Sequence, residues 1–500
     1  LFREALLSVL HTSQPELVPL LHRRAATFYE TEGEWAEAII HWLAAADFPA
    51  ATQLMEQTVE QFWVRGEAAT IANWVLELPE TLVREHARLM LTTALYLLNT
   101  VTLMIPKQRA RVYQQVRQLM ARVETALREE IDEPDQERLV RAAEDTLLHR
   151  RLRLLHRHLV LYEAVASGDF ERLNSMQQEI EETLNQDEEA IWQMEQLLGS
   201  VLLYYTARVE GGRLVPRLLS AKEQVDRKAS RYASIKIRQW LAQAAVEAGQ
   251  LHLAYEACQA ALDQIEQVEG YSLLKGYPQI VLAMILYQWN YLDEARNLLQ
   301  AVVRDSITWQ HLDLPAWGYN DLLQVELARG DGVAAQQALH EMEQLVQRER
   351  YLAYSDHLPI RRAQWWLAQG QLETASAWAA SVVFPQGAWE DTVYYAFPVV
   401  IRVHFARQRW REALDLLERW HTHLDRPANI RITITYLAQL LVALHQAGQR
   451  NQTRVVAARL FALTEPEGYL RVYLDEGKPM RQALEALLPP RSHQHKLASS

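Results

Sequence analysis

Residues 365–375, Trp365-Trp366-Leu367-Ala368-Gln369-Gly370-Gln371-Leu372-Glu373-Thr374-Ala375, decide how this chain folds. An apolar helical run stops at Gly370, a second begins at once, and a small Ala stands five positions beyond the glycine. A helix leaves most easily through a left-handed cap, where Gly or less often Asn is tolerated, and Ala lets two helices cross closely. The phrase therefore marks the corner of a helical hairpin. It recurs as Ala248-Gly249 with Ala254, Trp289-Asn290 with Ala295, Arg329-Gly330 with Ala335 and Gln408 with Ala413. Less clean copies are Ser167-Gly168 with Leu173 and Ala447-Gly448 with Thr453. With Gly212 as the turn between the first two blocks, successive turns lie 44, 37, 41, 40, 40, 38 and 40 residues apart. That period predicts an all-α chain of stacked antiparallel helix pairs. Such an array has no strand ends or Gly-rich phosphate loops on which to build a catalytic cleft, so the expectation is a binding protein and not an enzyme.

Composition agrees. Pro and Gly number only 17 each in 500 residues, and 49% of the chain is apolar, enough for a core that grows along an axis. The net charge of -12 opposes general nucleic-acid binding, which rests on neutralising phosphates. One local exception is the basic stretch from Arg138 to His158, which carries Arg141, Arg150, Arg151, Arg153 and Arg157. The acidic run from Glu171 to Glu189 follows it, so two helices with complementary charged faces are expected, with a nucleic-acid surface as the rival. The single Cys258 excludes an internal disulfide and, on an Ala-rich helix, reads as a small buried filler suited to a reducing cytoplasm. Leu89 to Ile105 is uncharged but contains four Thr and Asn99, and reads as buried helix, not a membrane span. No metal is expected: His156 with His158 and His421 with His423 are spaced i, i+2, which points them apart on a helix, and His493 with His495 lie in a polar tail.

The opening is more specific than the repeats. Leu21-His22-Arg23-Arg24-Ala25-Ala26, Tyr29, Gly33, Glu37-Ala38-Ile39, His41, Leu43-Ala44, Ala46-Asp47-Phe48 and Ala50-Ala51 form an ordered set, continued by Trp74, Leu76, Leu78-Pro79 and Arg88-Leu89. This set closely resembles the connector after the winged-helix segment in large ATP-dependent LuxR-type transcriptional regulators, the group typified by the maltose-regulon activator. Gly468-Tyr469-Leu470-Arg471-Val472-Tyr473-Leu474-Asp475-Glu476-Gly477 with Pro479-Met480 resembles the phrase that closes the helical array in the same group. The resemblance implies residues 1–64 as the end of a winged-helix segment and connector, 65–465 as a tetratricopeptide-like sensor domain forming a right-handed superhelix, and 466–500 as closing segment and polar tail.

In that group the array binds an inducer and relays the signal to an upstream nucleotide-binding domain and a downstream DNA reader. This chain contains no G-x-x-x-x-G-K-[ST], so no ATP or other cofactor is expected to bind it. It starts inside an amphipathic helix and reads as cut from something longer. The expected partners are a small-molecule or peptide effector, the chain's own neighbouring domains and a second copy of itself, with no direct specific DNA binding and no membrane. The alternative is a stand-alone scaffold that docks peptide segments.

Tetratricopeptide-like arrays line their groove with the first helix of each pair. Thirteen residues before each turn stand Lys236, Tyr277, Trp317, His357 and Tyr395; ten before stand Gln239, Ile280, Asn320, Ile360 and Pro398; six before stand Gln243, Met284, Gln324, Gln364 and Arg402. Rings that stack beside amides that hydrogen-bond suit a sugar or a peptide. The predicted effector or partner groove is thus Lys236, Gln239, Gln243, Tyr277, Met284 and Trp317, continued by Asn320, Gln324, His357, Gln364, Tyr395 and Arg402.

Overall fold

The computed structural model describes residues 12–64, 67–100, 106–128, 145–153, 155–157, 159–160, 163, 201–228, 231–267, 273–308, 313–349, 357–385 and 391–487. Among these the chain is helical, with no strand. It forms two compact units, one from Leu1–Val101, Pro106–Tyr162 and Val268–Leu273, the other from Thr102–Ile105, Glu163–Gln267 and Leu274–Ser500.

The first unit contains α1 (Leu17–Thr31), α2 (Trp35–Ala44), α3 (Phe48–Val64), α4 (Ala68–Leu76), α5 (Ala87–Thr100) and α6 (Pro106–Arg128). The residues of the opening phrase meet here: His22 and His41 share a 2.8 Å hydrogen bond between their Nδ1 atoms, and Tyr29 stacks on His41. Gly33 turns α1 into α2 with a left-handed φ of 79°. Leu89, Met90, Leu91, Ala94, Leu97 and Leu98 of α5 are buried, and no helix among the described residues is long and apolar enough to cross a membrane. Of the basic stretch, Arg138, Arg141 and His158 lie outside the described residues, as does the acidic run proposed to complement it. Arg151 is buried and His156 meets the Glu124 carboxylate at 2.6 Å, so part of that stretch is spent on internal packing.

The second unit is the array. Its pairs are α7 (Val201–Lys228) leading into α8 (Arg231–Glu247) and α9 (Leu251–Glu266), then α10 (Gly276–Gln288) with α11 (Leu292–Thr308) and α12 (Asp313–Arg329) with α13 (Gly332–Glu349). Next come α14 (His357–Ala368) with α15 (Leu372–Ser381), α16 (Asp391–Ala406) with α17 (Trp410–Arg419), the short α18 (His421–Leu424), and α19 (Ile430–Gln446) with α20 (Arg450–Thr464). Each predicted corner from Gly249 to Gly448 closes in the same way. The residue just past the turn donates its N–H five residues back, as in Gln250 to Ala245 at 2.8 Å and Gln371 to Trp366 at 2.8 Å. The turn residue itself is left-handed, even where it is Asn290 (φ 65°) or Gln408 (φ 57°). Such a cap satisfies carbonyls that the helix end leaves open. Ala254, Ala295, Ala335, Ala375 and Ala413, five residues beyond, are all fully buried at the helix crossings.

Gly212 is not a turn. It lies inside α7, whose helix runs unbroken from Val201 to Lys228. The reason is close approach: a Cβ at Gly211 would stand 2.5 Å from the Ala244 carbonyl oxygen, and the Gly212 N–H donates to the Ala428 carbonyl at 2.8 Å. Without a Cβ, one helix backbone can be crossed by another chain segment at hydrogen-bonding distance. The 168–173 corner lies outside the described residues.

That Gly212–Ala428 bond also shows that the array curls until its far end meets its near end. At the same place Gly249 faces Ile430, where a Cβ would come within 2.6 Å of Cγ2. Glu247, fully buried at the end of α8, accepts from Arg431 Nε at 2.7 Å and Asn429 Nδ2 at 3.1 Å at the start of α19. The first helix of each pair is consequently buried on most sides; in α10, the run Ile280, Val281, Leu282 and Ala283 is buried without interruption. Cys258 sits fully buried on α9, and burial pushes its thiol well above the ordinary range, as a packing role requires.

Candidate functional site

All twelve predicted groove residues lie on the first helices of the pairs, α8, α10, α12, α14 and α16, because a constant distance from each corner fixes a constant helix face. Thirteen residues before the turns, neighbouring repeats meet in register. Lys236 Nζ lies 5.4 Å from the Tyr277 ring centre and 5.3 Å from that of Trp240. His357 and Tyr395 have ring centres 5.1 Å apart, and the Arg431 guanidinium lies 5.2 Å over Tyr395. Trp317 is only 5% exposed.

Ten and six residues before the turns the groove is a polar network. Gln239 Nε2 donates to the Leu274 carbonyl at 2.8 Å, and Gln243 Nε2 to Glu247 at 3.2 Å. Arg361, buried on α14, donates through Nε to Asn320 Oδ1 and through Nη1 to Gln364 Oε1, both at 2.7 Å, so one guanidinium ties two predicted positions together. Met284 and Gln324 are half-buried beside them.

The groove is not open along its length. Past α20, residues 467–476 form a strap that contains α21 (Arg471–Leu474) and leads into α22 (Gly477–Leu487). The strap binds the near end of the array: Trp289 Nε1 donates to the Glu467 carbonyl at 2.8 Å, and the Leu470 N–H to the Gln288 carbonyl at 2.8 Å. The Tyr287 hydroxyl donates to Asp475 at 2.7 Å. It also binds the far side, where Arg402 donates to Glu476 Oε1 at 2.7 Å and Gln439 Nε2 reaches the same oxygen at 3.3 Å. Burial together with the Asp475 charge drives the Tyr287 phenol far up, while Arg402, despite burial, is held protonated by Glu476 and Asp475.

Strap and inner helices line a cavity of about 170 Å³. Seven predicted residues line it: Met284, Trp317, Asn320, Gln324, Gln364, Tyr395 and Arg402. Lys236, Gln239, Gln243, Tyr277 and His357 do not; they pack between repeats at or beyond its edge. Among the described residues no group of three or more His, Cys, Asp or Glu is placed to hold a metal ion.

With this geometry in view, residues 164–489 match the family described as the MalT-like TPR region, where TPR denotes the tetratricopeptide repeat. The chain belongs to that family. It is also similar to two curated HTH-type transcriptional regulators named MalT, 21% identical over 93% of this chain for Vibrio campbellii and 22% over 96% for Yersinia enterocolitica. The chain spans about half the length of these relatives, 49% and 51%. Among solved structures, a Rap protein complexed with competence and sporulation factor aligns with 77% of this chain and 99% of its own, at 13% identity and a TM-score of 0.45.

Within this TPR region the sequence reading missed two parts of the cavity wall. Arg361 sits nine residues before its turn, one position off the predicted register, and the strap was read only as a closing phrase. The pairing of Asp475 and Glu476 with Tyr287 and Arg402 joins residues 188 and 74 positions apart, which no local pattern encodes.

Lys236 makes the edge of the groove sensitive to pH. Burial lowers its pKa from 10.5 to about 8. Below pH 8 the folded and unfolded states are both protonated; between about pH 8 and 10.5 the unfolded state binds more protons, so this residue makes stability rise with pH across that window. Lys236→Met should remove the rise. The unfolding free energy of the wild type from urea titration, measured at both ends of the window, should gain about 1–3 kcal/mol relative to the variant. Parallel pH profiles for the two proteins would refute this.

Proposed function

We propose that this chain is the sensor region of an ATP-dependent LuxR-type transcriptional regulator: it binds a small-molecule or peptide effector between its inner helices and the strap, and relays that event to nucleotide-binding and DNA-reading parts of the same protein. The observation that carries this reading is the convergence of seven groove residues, taken from four successive repeats, on one cavity. Family membership supports the regulatory context. On this reading the chain acts in the cytoplasm by binding alone, with no catalytic step, no cofactor of its own and no specific contact to DNA.

A second reading, a scaffold that docks peptide segments, has one observation in its favour: the inner face already holds a peptide segment, the chain's own strap. A thermal-shift screen of sugars, short peptides and nucleotides separates them. A ligand selective for the folded chain stabilises it by about 2.7 kcal/mol at a hundred times its Kd. A small molecule or short peptide that raises the melting temperature supports the sensor. A screen without a hit, together with saturable binding of longer peptide segments, would replace it with the scaffold.

A further inference from the structure

We propose that the strap 467–476 is the lid of the effector site, and that the effector is a neutral or cationic molecule that donates hydrogen bonds to Glu476, Tyr469 and Gln288. The inference rests on the sensor reading above and adds the chemistry of the ligand and the part that moves.

Buried polar atoms are nearly always hydrogen-bonded. Here three polar atoms on the strap and at the end of α10, all of residues that line the cavity, are buried with no hydrogen-bond partner among the described residues: Gln288 Oε1, the Tyr469 hydroxyl and Glu476 Oε2. Tyr469 is 4% exposed and Glu476 6%, so these are interior groups. All three belong to residues that line the one cavity: Tyr469 meets the end of α10, where the residue after it donates its N–H to the Gln288 carbonyl, and Glu476 lies on the side of Arg402 and Gln439.

Two of the three atoms can only accept, and the third can do either. The cations on the same wall are engaged: Arg402 with Glu476 Oε1, Arg361 with Asn320 and Gln364, Arg431 with Glu247 and the Tyr395 hydroxyl. The unused capacity is therefore acceptor capacity. A ligand bearing hydroxyl or ammonium donors would complete it, whereas a carboxylate or phosphate would face Asp475 and Glu476 with no unspent cation to receive it.

The three atoms are buried and two of them belong to strap residues, so a ligand reaches them only if the strap shifts. Its ties to the array include hydrogen bonds, at Leu470, Asp475 and Glu476, that can be exchanged for ligand hydrogen bonds. Binding and strap movement are then one event, and α22, which follows the strap directly, carries the displacement onward.

The test uses the full chain and two series that keep a ring and change the charge of one arm: glucosamine, glucose and glucuronate; tyramine, tyrosol and 4-hydroxyphenylacetate. The same measurements are made with any effector the wider screen yields. Calorimetry should show the amine and alcohol members of at least one series, or the screened effector, binding about tenfold or more tighter than the acid counterpart. Glu476→Gln, which puts an amide donor where the acceptor stands, should weaken binding about tenfold. Tyr469→Phe keeps every internal hydrogen bond, so it should weaken binding while leaving the melting temperature unchanged or higher, a split that a purely structural tyrosine would not give. Hydrogen exchange at residues 470–476 should change when ligand binds. An effector that is an anion, or one whose affinity survives Tyr469→Phe and Glu476→Gln, overturns the lid proposal and leaves the sensor reading standing. If neither these probes nor the wider screen bind, both fall together.

Discussion

Glu247→Ala should cost about 3–5 kcal/mol of stability, the range for breaking a buried ion pair by removing one partner. The carboxylate is 0% exposed and takes hydrogen bonds from Arg431, Asn429 and Gln243. Asn429 is also the N-cap of α19, accepting from the Ile432 N–H at 3.1 Å, so the loss spreads into the helix that starts there. What makes the site expensive is its position. It is where the far end of the array returns to the near end, and no neighbouring repeat can replace a contact between repeats so distant in sequence. Urea unfolding of Glu247→Ala, Arg431→Ala and the double variant gives the coupling directly. A loss below about 1 kcal/mol, as for a surface pair, would mean that the glycine crossings at 211–212 and 249 hold the closure by themselves.

The glycines at that closure show what a single sequence conveys and what it does not. Glycine is used for a left-handed backbone and for close approach, and the letter is the same in both cases. At Gly330 and Gly370 nothing lies within 4 Å of an added Cβ and φ is positive, so the residue serves the turn. At Gly211 and Gly212 the backbone is helical and the neighbour is a carbonyl oxygen, so the residue serves the crossing. Periodicity placed Gln408 correctly although nothing in its chemistry announces a left-handed turn, because the turns at Gly370 and Gly448 bracket it at 38 and 40 residues. The same periodicity misassigned Gly212.

The groove was legible to the extent that it is local. Once the corners are placed, counting back along a helix gives a face, and the Lys236–Tyr277 and His357–Tyr395 contacts show that equal counts meet across repeats. Which positions on that face line the cavity depends on curvature and on the strap, and both are set by contacts between distant parts of the chain. Lys236 and Gln239 satisfy the same count as Tyr395 and Asn320, yet they pack between repeats, while Asp475 and Glu476 satisfy no count and form the wall.

Trp317 is where packing and binding are hardest to separate, and Trp317→Ala should lower stability by about 3–5 kcal/mol. The residue is 5% exposed and also lines the cavity. At the next residue a Cβ on Gly318 would come within 2.6 Å of Val303 Cγ2, so α12 and α11 are tightly packed beside the ring. Early melting is therefore expected whether the ring is a filler or an anchor, and melting temperature alone decides nothing. Affinity of the folded fraction does. If the effector stacks on the ring, Trp317→Ala costs a further 1–3 kcal/mol, roughly, in binding. Gln324→Ala, two turns along the same helical face, should cost about 1 kcal/mol, since a neutral hydrogen bond exchanges against water. Trp317→Phe keeps most of the packing and should recover stability more fully than affinity, because the smaller ring fills the layer but offers less surface to a ligand. A Trp317→Ala protein that melts early and binds with unchanged affinity would make this ring a spacer between repeats. The ligand's aromatic platform would then be Tyr395, which also lines the cavity, and Tyr395→Ala would be the variant to lose binding.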